Sequence, residues 1–236
     1  MGHVLSLECS ECHQHLPADR IQTVCDRCDS PLFARYDLSD LAQRITPLDI
    51  SRRPSGLWRW PELLPVEDDR YRLTLGEGDT PLLPVPRLAA SLGLEHVYLK
   101  DEGVNPTGSF KARGMAVALS RAAELGVREV VVPTAGNAGG AMAAYAARAG
   151  LKAHVILPAD AHPAFRVEAE RAGARVQAVD GLIDRAGQEA ARIARDLGAF
   201  NMATLHEPYR VEGKKTMGFE LAEAFDWDVP EAIVYP

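Results

Sequence analysis

Lys111 stands in the run Asn105-Pro106-Thr107-Gly108-Ser109-Phe110-Lys111-Ala112-Arg113-Gly114. Before it comes an apolar tetrad, Val97-Tyr98-Leu99-Lys100, and after it an Ala- and Leu-rich stretch from Met115 to Glu124. The tetrad predicts a strand and the stretch a helix, with a turn at Asn-Pro and Thr-Gly-Ser between them. Lys111 then falls in the first helical turn, where the helix dipole disfavours an ammonium and partial burial disfavours it further. A lysine kept uncharged attacks carbonyls and is a Schiff-base candidate. The competing reading is a solvated surface lysine, the commonest state of that residue. Against it, the chain has five lysines and 21 arginines, so a lysine in a Gly/Ser turn is not background. A phosphate-binding P-loop requires Gly-Lys-Ser/Thr in succession; here Ser109 and Phe110 separate Gly108 from Lys111.

A second loop, Thr134-Ala135-Gly136-Asn137-Ala138-Gly139-Gly140, follows the apolar run Glu129–Pro133 and precedes a small-residue helix, 137–149. In open α/β sheets ligands bind beyond the carboxyl ends of strands, and free N–H groups of the next helix attract anions. Gly136, Gly139 and Gly140 permit close backbone approach. The loop suits an amino-acid carboxylate, and equally a tight turn with packing glycines.

All four cysteines form two C-x-x-C pairs, Cys9/Cys12 and Cys25/Cys28, with twelve residues between them. Two such knuckles suit tetrahedral Zn(II) in a closed, structural site. Disulfides or free thiols are the alternatives, and disulfides do not suit a cytoplasmic chain. His13 and His15 are spare ligands that four thiolates make unnecessary. A stapled module of about 30 residues makes sense, because that length buries too little core alone.

The 236 residues are 47% apolar and 25% charged, with net charge −7. That composition is globular, and the acidic balance argues against nucleic-acid binding. No stretch reaches the ~20 apolar residues of a membrane span, and the N-terminus lacks a secretory signal, so the expected location is cytoplasmic. Gly2 with Ser6 fits a minimal myristoylation pattern, but no polybasic run supports it.

The elements that must position these groups follow in order. A helix is expected over 37–45 with Ser39 as a possible cap. A Pro- and Trp-rich connecting arm then carries Trp58 and Trp60 as anchors. A strand begins at Tyr71–Leu75, a Gly/Pro loop spans 76–82, and a short helix covers 86–92. From Gly126 strands alternate with helices: 129–133, 153–157, 175–179 and 200–203 between helices 137–149, 163–172 and 183–197. That order predicts an α/β fold, a parallel sheet with helices on both faces. A helix over 209–225 and a strand over 232–235 complete the expectation.

Asn-Pro-Thr-Gly-Ser-Phe-Lys with Arg-Gly resembles the lysine motif of fold-type II pyridoxal-phosphate enzymes, the tryptophan synthase beta-like fold, and looks most like the threonine synthase branch. Gly76-Glu77-Gly78-Asp79-Thr80-Pro81-Leu82 and the Thr134–Asn137 loop lie where that family has its entrance segment and Ser/Thr-x-Gly-Asn loop. The resemblance implies pyridoxal 5'-phosphate on Lys111, Phe110 beside the ring, and Asn137 on its phenolic oxygen. It implies a substrate carboxylate held by Thr134, Ala135, Gly136, Asn137 and Ala138. Cys9, Cys12, Cys25 and Cys28 match the ribbon that many threonine synthases carry. The implied reaction converts O-phosphohomoserine and water to threonine and phosphate, with Lys214, Lys215 and Arg113 as candidate phosphate partners. Ala135 and Ala112 stand where threonine synthases often have Ser and Asp, which leaves open a serine/threonine dehydratase or a cysteine/cysteate synthase type. A non-catalytic binding protein is the reading from another class. The implied divisions are a zinc ribbon, 1–35, a connecting arm, 36–75, and a catalytic region, 76–236, with a small α/β subdomain near 112–204. The family's Gly-rich phosphate loop and pyridine-nitrogen partner have no counterpart, so the chain is expected to be a portion of such an enzyme. Weak or no cofactor binding and negligible synthase activity are expected of it alone. A small-molecule amino-acid substrate, no nucleic acid, no membrane and a homodimer at full length are the expected partnerships.

Overall fold

The computed structural model describes residues 4–235; Gly2, with its myristoylation pattern, and Pro236 lie outside them. The chain opens with three short antiparallel strands, β1 (Val4–Cys9), β2 (His15–Leu16) and β3 (Leu32–Tyr36), in the order β2-β1-β3. Leu7, Leu16, Leu32 and Ala34 fill the small space under this sheet. Helix α1 (Leu38–Arg44) follows. Its cap is Asp37, not Ser39: the Asp37 carboxylate accepts the Asp40 N–H at 2.9 Å, and an Asx cap satisfies an otherwise free donor.

The arm is ordered by local caps and by tryptophan. Thr46 and Asp49 form a capping box on α2 (Pro47–Ser51). Trp60 is buried against Phe219, and Trp58 donates its indole N–H to the Leu73 carbonyl at 2.7 Å. The expected strand at Tyr71–Leu75 is absent. Asp69–Tyr71 is instead a 3-10 turn capped by Asp68, and the Leu73 N–H is taken by Ser120 Oγ at 3.0 Å rather than by a ladder. Strand β4 (Leu82–Pro84), helix α3 (Pro86–Leu92) and strand β5 (Tyr98–Lys100) follow, with β4 and β5 antiparallel.

Beyond them lies helix α4 (Lys111–Glu124), then strand β6 (Glu129–Pro133), helix α5 (Asn137–Ala149), strand β7 (Lys152–Pro158) and helix α6 (Pro163–Arg171). Strand β8 (Arg175–Val179), helix α7 (Ile183–Leu197) and strand β9 (Phe200–Asn201) complete the alternation. The four strands form one parallel sheet in the order β8-β7-β6-β9. Its two faces are read from alternate residues. Val130, Val132 and Val155 join the core that includes Met115, Leu119, Met142 and Tyr145 of α4 and α5, while Val131 and Ile156 meet Ala186, Ala190 and Ile193 of α7. The α/β fold with helices on both faces is therefore the observed one.

The expected helix over 209–225 is two helices, α8 (Tyr209–Lys214) and α9 (Thr216–Ala224). Thr216 Oγ1 donates to the Gly213 carbonyl at 2.7 Å at their junction. Segment 232–235 pairs with no strand among the described residues, and Val234 is 98% exposed. Apolar, β-branched composition is not sufficient for a strand when no neighbour offers a ladder.

Candidate active site and metal centre

Lys111 is the first residue of α4, with Phe110 immediately ahead of it at the cap position. The side chain is half-buried, and its ammonium lies 3.7 Å from the centre of the Phe110 ring. Burial, then the nearby charges of Lys214 and Arg210, lower its pKa to about 8. The turn ahead is fixed by side chains. Asn105 donates from Nδ2 to the Glu102 carbonyl and carboxylate, both at 2.9 Å, and accepts the Gly78 N–H at 3.2 Å. Gly78 has φ +90°, and a Cβ there would lie 2.6 Å from the Leu57 nitrogen. These contacts lock the 76–82 loop to the lysine turn.

Helix α8 packs on α4 at backbone distance. A Cβ on Gly213 would lie 2.1 Å from the Arg113 carbonyl oxygen, and one on Gly114 would lie 2.9 Å from that of Arg210. This approach brings α8 and its cations to the lysine end of α4. Glu207, buried just ahead of α8, accepts the Tyr209 and Arg210 N–H groups, and burial raises its pKa. Arg210 donates to the Met202 carbonyl at 2.6 Å.

The three candidate phosphate partners separate clearly. Arg113 is 0% exposed and gives its guanidinium to Glu102 (2.7 and 2.8 Å) and Glu220 (2.5 and 2.8 Å). Thr80 and Thr216 hydroxyls accept from it at 3.1 Å. It is a structural hub, with no donor left over. Lys215 donates to Glu212 at 2.5 Å and lies 4.1 Å from the Tyr36 ring centre, so it faces the β1–β3 sheet. Lys214 instead stands 5.9 Å from the centre of the Phe110 ring.

The second loop occupies the carboxyl end of β6 and opens α5. Thr134 is buried; its hydroxyl accepts the Gly136 N–H at 3.0 Å. A Cβ on Gly139 would lie 2.8 Å from Thr134 Cγ2 and 2.9 Å from Val155 Cγ1, so the helix sits directly on the strand end. Ala135 and Asn137 are exposed, Gly136 and Ala138 half-buried, and the Phe165 ring covers Gly136. α5 packs along α4. A surface crevice of about 560 Å³ between Thr23, Arg128, Ala194 and Phe200 is lined by none of these residues.

The site's chemistry fits a carbonyl-bearing cofactor. It offers a half-buried amine with a lowered pKa, an aromatic wall, a glycine-lined helix start and, at Thr107, a buried hydroxyl with no partner. Sequence reasoning missed Glu207, Arg210, Glu102 and Glu220. Glu207 has a signal, an acid just before a Pro-initiated helix; Glu220 has none, being 107 residues from Arg113.

Cys9, Cys12, Cys25 and Cys28 bring their sulfurs within 4.8 Å of one another and form no disulfide. Cys9–Cys28 and Cys12–Cys25 sulfurs lie 3.4 and 3.6 Å apart, close to the ~3.8 Å edge of a tetrahedral ZnS₄ site with ~2.3 Å bonds. The two knuckles share one geometry. The first Cys N–H donates 2.9 Å to the carbonyl five residues on, Gln14 or Ser30, and the residue after the second Cys, His13 or Asp29, has φ 55°. His13 and His15 are engaged elsewhere, with Glu8 at 3.0 Å and Ser6 at 2.8 Å.

A half-buried lysine of lowered pKa at the head of α4, with a glycine-rich loop at the carboxyl end of β6 in a parallel α/β sheet, has the features that a carbonyl-bearing cofactor would require. Residues 73–236 match the family described as Pyridoxal-phosphate dependent enzyme, and the chain belongs to that family. Among curated relatives it is 38% identical over 231 residues to a threonine synthase of Methanosarcina acetivorans, covering 98% of this chain and 56% of the relative. To a threonine synthase of Methanocaldococcus jannaschii it is 36% identical over 229 residues, 97% of this chain and 56% of the relative. The chain thus spans little more than half the length of these relatives. Among solved structures, a pyridoxal 5'-phosphate-dependent aspartate racemase superposes with TM-score 0.58 at 29% identity, covering 61% of this chain and 46% of that one. A diaminopropionate ammonia lyase of Escherichia coli shares the fold at TM-score 0.59 and 20% identity, over 65% and 46% of the two chains. Among the described residues no helix is long and apolar enough to cross a membrane.

Proposed function

We propose that the chain carries the lysine half of a threonine synthase-type active site, acting on O-phosphohomoserine and water to give threonine and phosphate. The observation that carries this reading is Lys111: a half-buried amine with pKa lowered to about 8, at the head of α4 and against an aromatic ring. The threonine synthase relatives, matched along nearly the whole chain, support the substrate. Bound pyridoxal phosphate supplies an electron sink for the α-carbon. Lys111 Nζ would hold it, and as a free amine would take the α-proton as general base. Phe110 would pack beside the ring and Asn137 would hydrogen-bond its phenolic oxygen. Backbone N–H groups from Thr134 to Ala138 hold the substrate carboxylate and so orient the α-carbon.

Cys9, Cys12, Cys25 and Cys28 hold one structural zinc. The chain divides into a ribbon (1–35), a connecting arm (36–75) and a catalytic region (76–236) with a small α/β subdomain near 112–204. At full length the protein is a cytoplasmic homodimer, and exposed Leu83, Leu88, Leu92 and Leu99 on β4, α3 and β5 support an interface there. Release of inorganic phosphate from O-phosphohomoserine, rather than ammonia from serine or threonine, by a version extended beyond Pro236 tests the substrate. Ammonia release without phosphate release overturns it.

A further inference from the structure

The cations around α4 and α8 are, with two exceptions, matched to carboxylates or carbonyls. Arg113 pairs with Glu102 and Glu220, Lys100 with Glu220, Arg121 with Glu124, and Lys215 with Glu212. Arg210 donates to the Met202 carbonyl. Among the described residues, Lys111 and Lys214 alone of this group make no ion pair or side-chain hydrogen bond. They converge on one ring, at 3.7 and 5.9 Å from the centre of Phe110.

Lys214 cannot drift far, because its neighbour Gly213 is pressed on the Arg113 carbonyl and the backbone there is fixed. The other charged and titratable groups facing the pair are few. α8 brings Arg210, the turn before it brings buried Glu207, and Tyr235 packs on the Phe110 ring at 5.4 Å. Glu207 accepts the Tyr209 and Arg210 N–H groups, and its charge acts on Lys214. Two half-buried ammonium groups on one aromatic wall repel each other, and because the Glu207 carboxylate favours the charged form of Lys214, Lys111 is the one that gives up its proton more readily.

We propose that Lys214 is a positioning residue of this site, a cation held beside Phe110 whose charge eases the loss of a proton from Lys111 to its nucleophilic form. The lowered pKa of Lys111, to which Lys214 contributes after burial, agrees with this geometry. The proposal rests on reading Lys111 as the reactive amine, but its test needs neither cofactor nor turnover.

Trace acylation of the full chain with acetic anhydride, read by peptide mapping against pH, reports the protonation of Lys111. Lys152, whose side chain is 72% exposed, is the internal reference. In the parent chain the Lys111 rate rises with a midpoint near pH 8. Lys214→Gln moves the midpoint up, so near neutral pH the rate relative to Lys152 falls about threefold or more, as loss of one nearby charge requires. Lys214→Arg, which keeps the charge, restores the parent profile. An unchanged profile in Lys214→Gln overturns the proposal. So does an equal shift in Gln and Arg variants, which would make shape the cause. Pyridoxal phosphate trapping on Lys111, measured separately, tests the functional reading, so either can fail alone.

Discussion

The ribbon and the α/β body are stabilised by opposite means. Under β1–β3 only a few side chains such as Leu7, Leu16 and Leu32 are buried, and four thiols meet where a core would be. In the body, β6 alone buries Val130, Val131 and Val132, with helices on both faces. The ribbon depends on a few side chains at fixed spacing, the body on many at fixed period. A small unit has too much surface for its volume and needs a staple; a larger one does not. Their apolar cores are continuous, and a polar seam joins them as well: the Tyr36 hydroxyl donates to Glu212, and Arg121 donates to the Ala18 carbonyl at 2.7 Å.

The largest expected effect separates the two regions outright. A strong chelator, or Cys9→Ser, should abolish hydrogen-exchange protection in β1–β3 while leaving β6 and β7 protected. Structural zinc in such modules contributes about 10 kcal/mol or more to folding. Equal loss in both regions would break the comparison, and protein purified without chelator that contains no zinc would remove the staple from it.

Next comes the buried ion network, the body's own polar dependence. Glu220→Gln leaves Arg113, fully buried, short of one carboxylate. Breaking a buried pair from one side costs about 3–5 kcal/mol. Denaturant midpoints should show a loss of that order with the slope unchanged; a loss below about 1 kcal/mol would mean that Glu102 alone compensates the guanidinium. The smallest effect belongs to the seam. In a double-mutant cycle, Tyr36→Phe and Glu212→Gln should couple by about 1.5–3 kcal/mol, the range for a hydrogen bond to a charged group. No coupling would make the seam incidental.

Much of the body was legible because periodicity and burial coincide there. β6 and α5 have the bounds expected from the sequence, and the helix carrying Lys111 begins at the lysine itself. The lysine turn was legible because Asn105 and Ser109 make the local side-chain bonds to backbone that such residues make in turns. What stayed hidden depends on partners distant in sequence. Tyr71–Leu75 has strand composition but loses its donor to Ser120, 47 residues on from Leu73. Segment 232–235 is apolar yet meets no strand. The neutralisation of Arg113 by Glu220 and the placement of Lys214 beside Phe110 follow from the close packing of α8 on α4, which no local spacing encodes.

The central claim is that Lys111 is the amine that binds the cofactor. Borohydride reduction of the chain at saturating pyridoxal phosphate, followed by peptide mapping, tests it directly. A single pyridoxyl group on Lys111, absent from Lys111→Ala, is the predicted result. A pyridoxyl group on Lys214 or another lysine in the parent chain, with Lys111 unmodified, would contradict it.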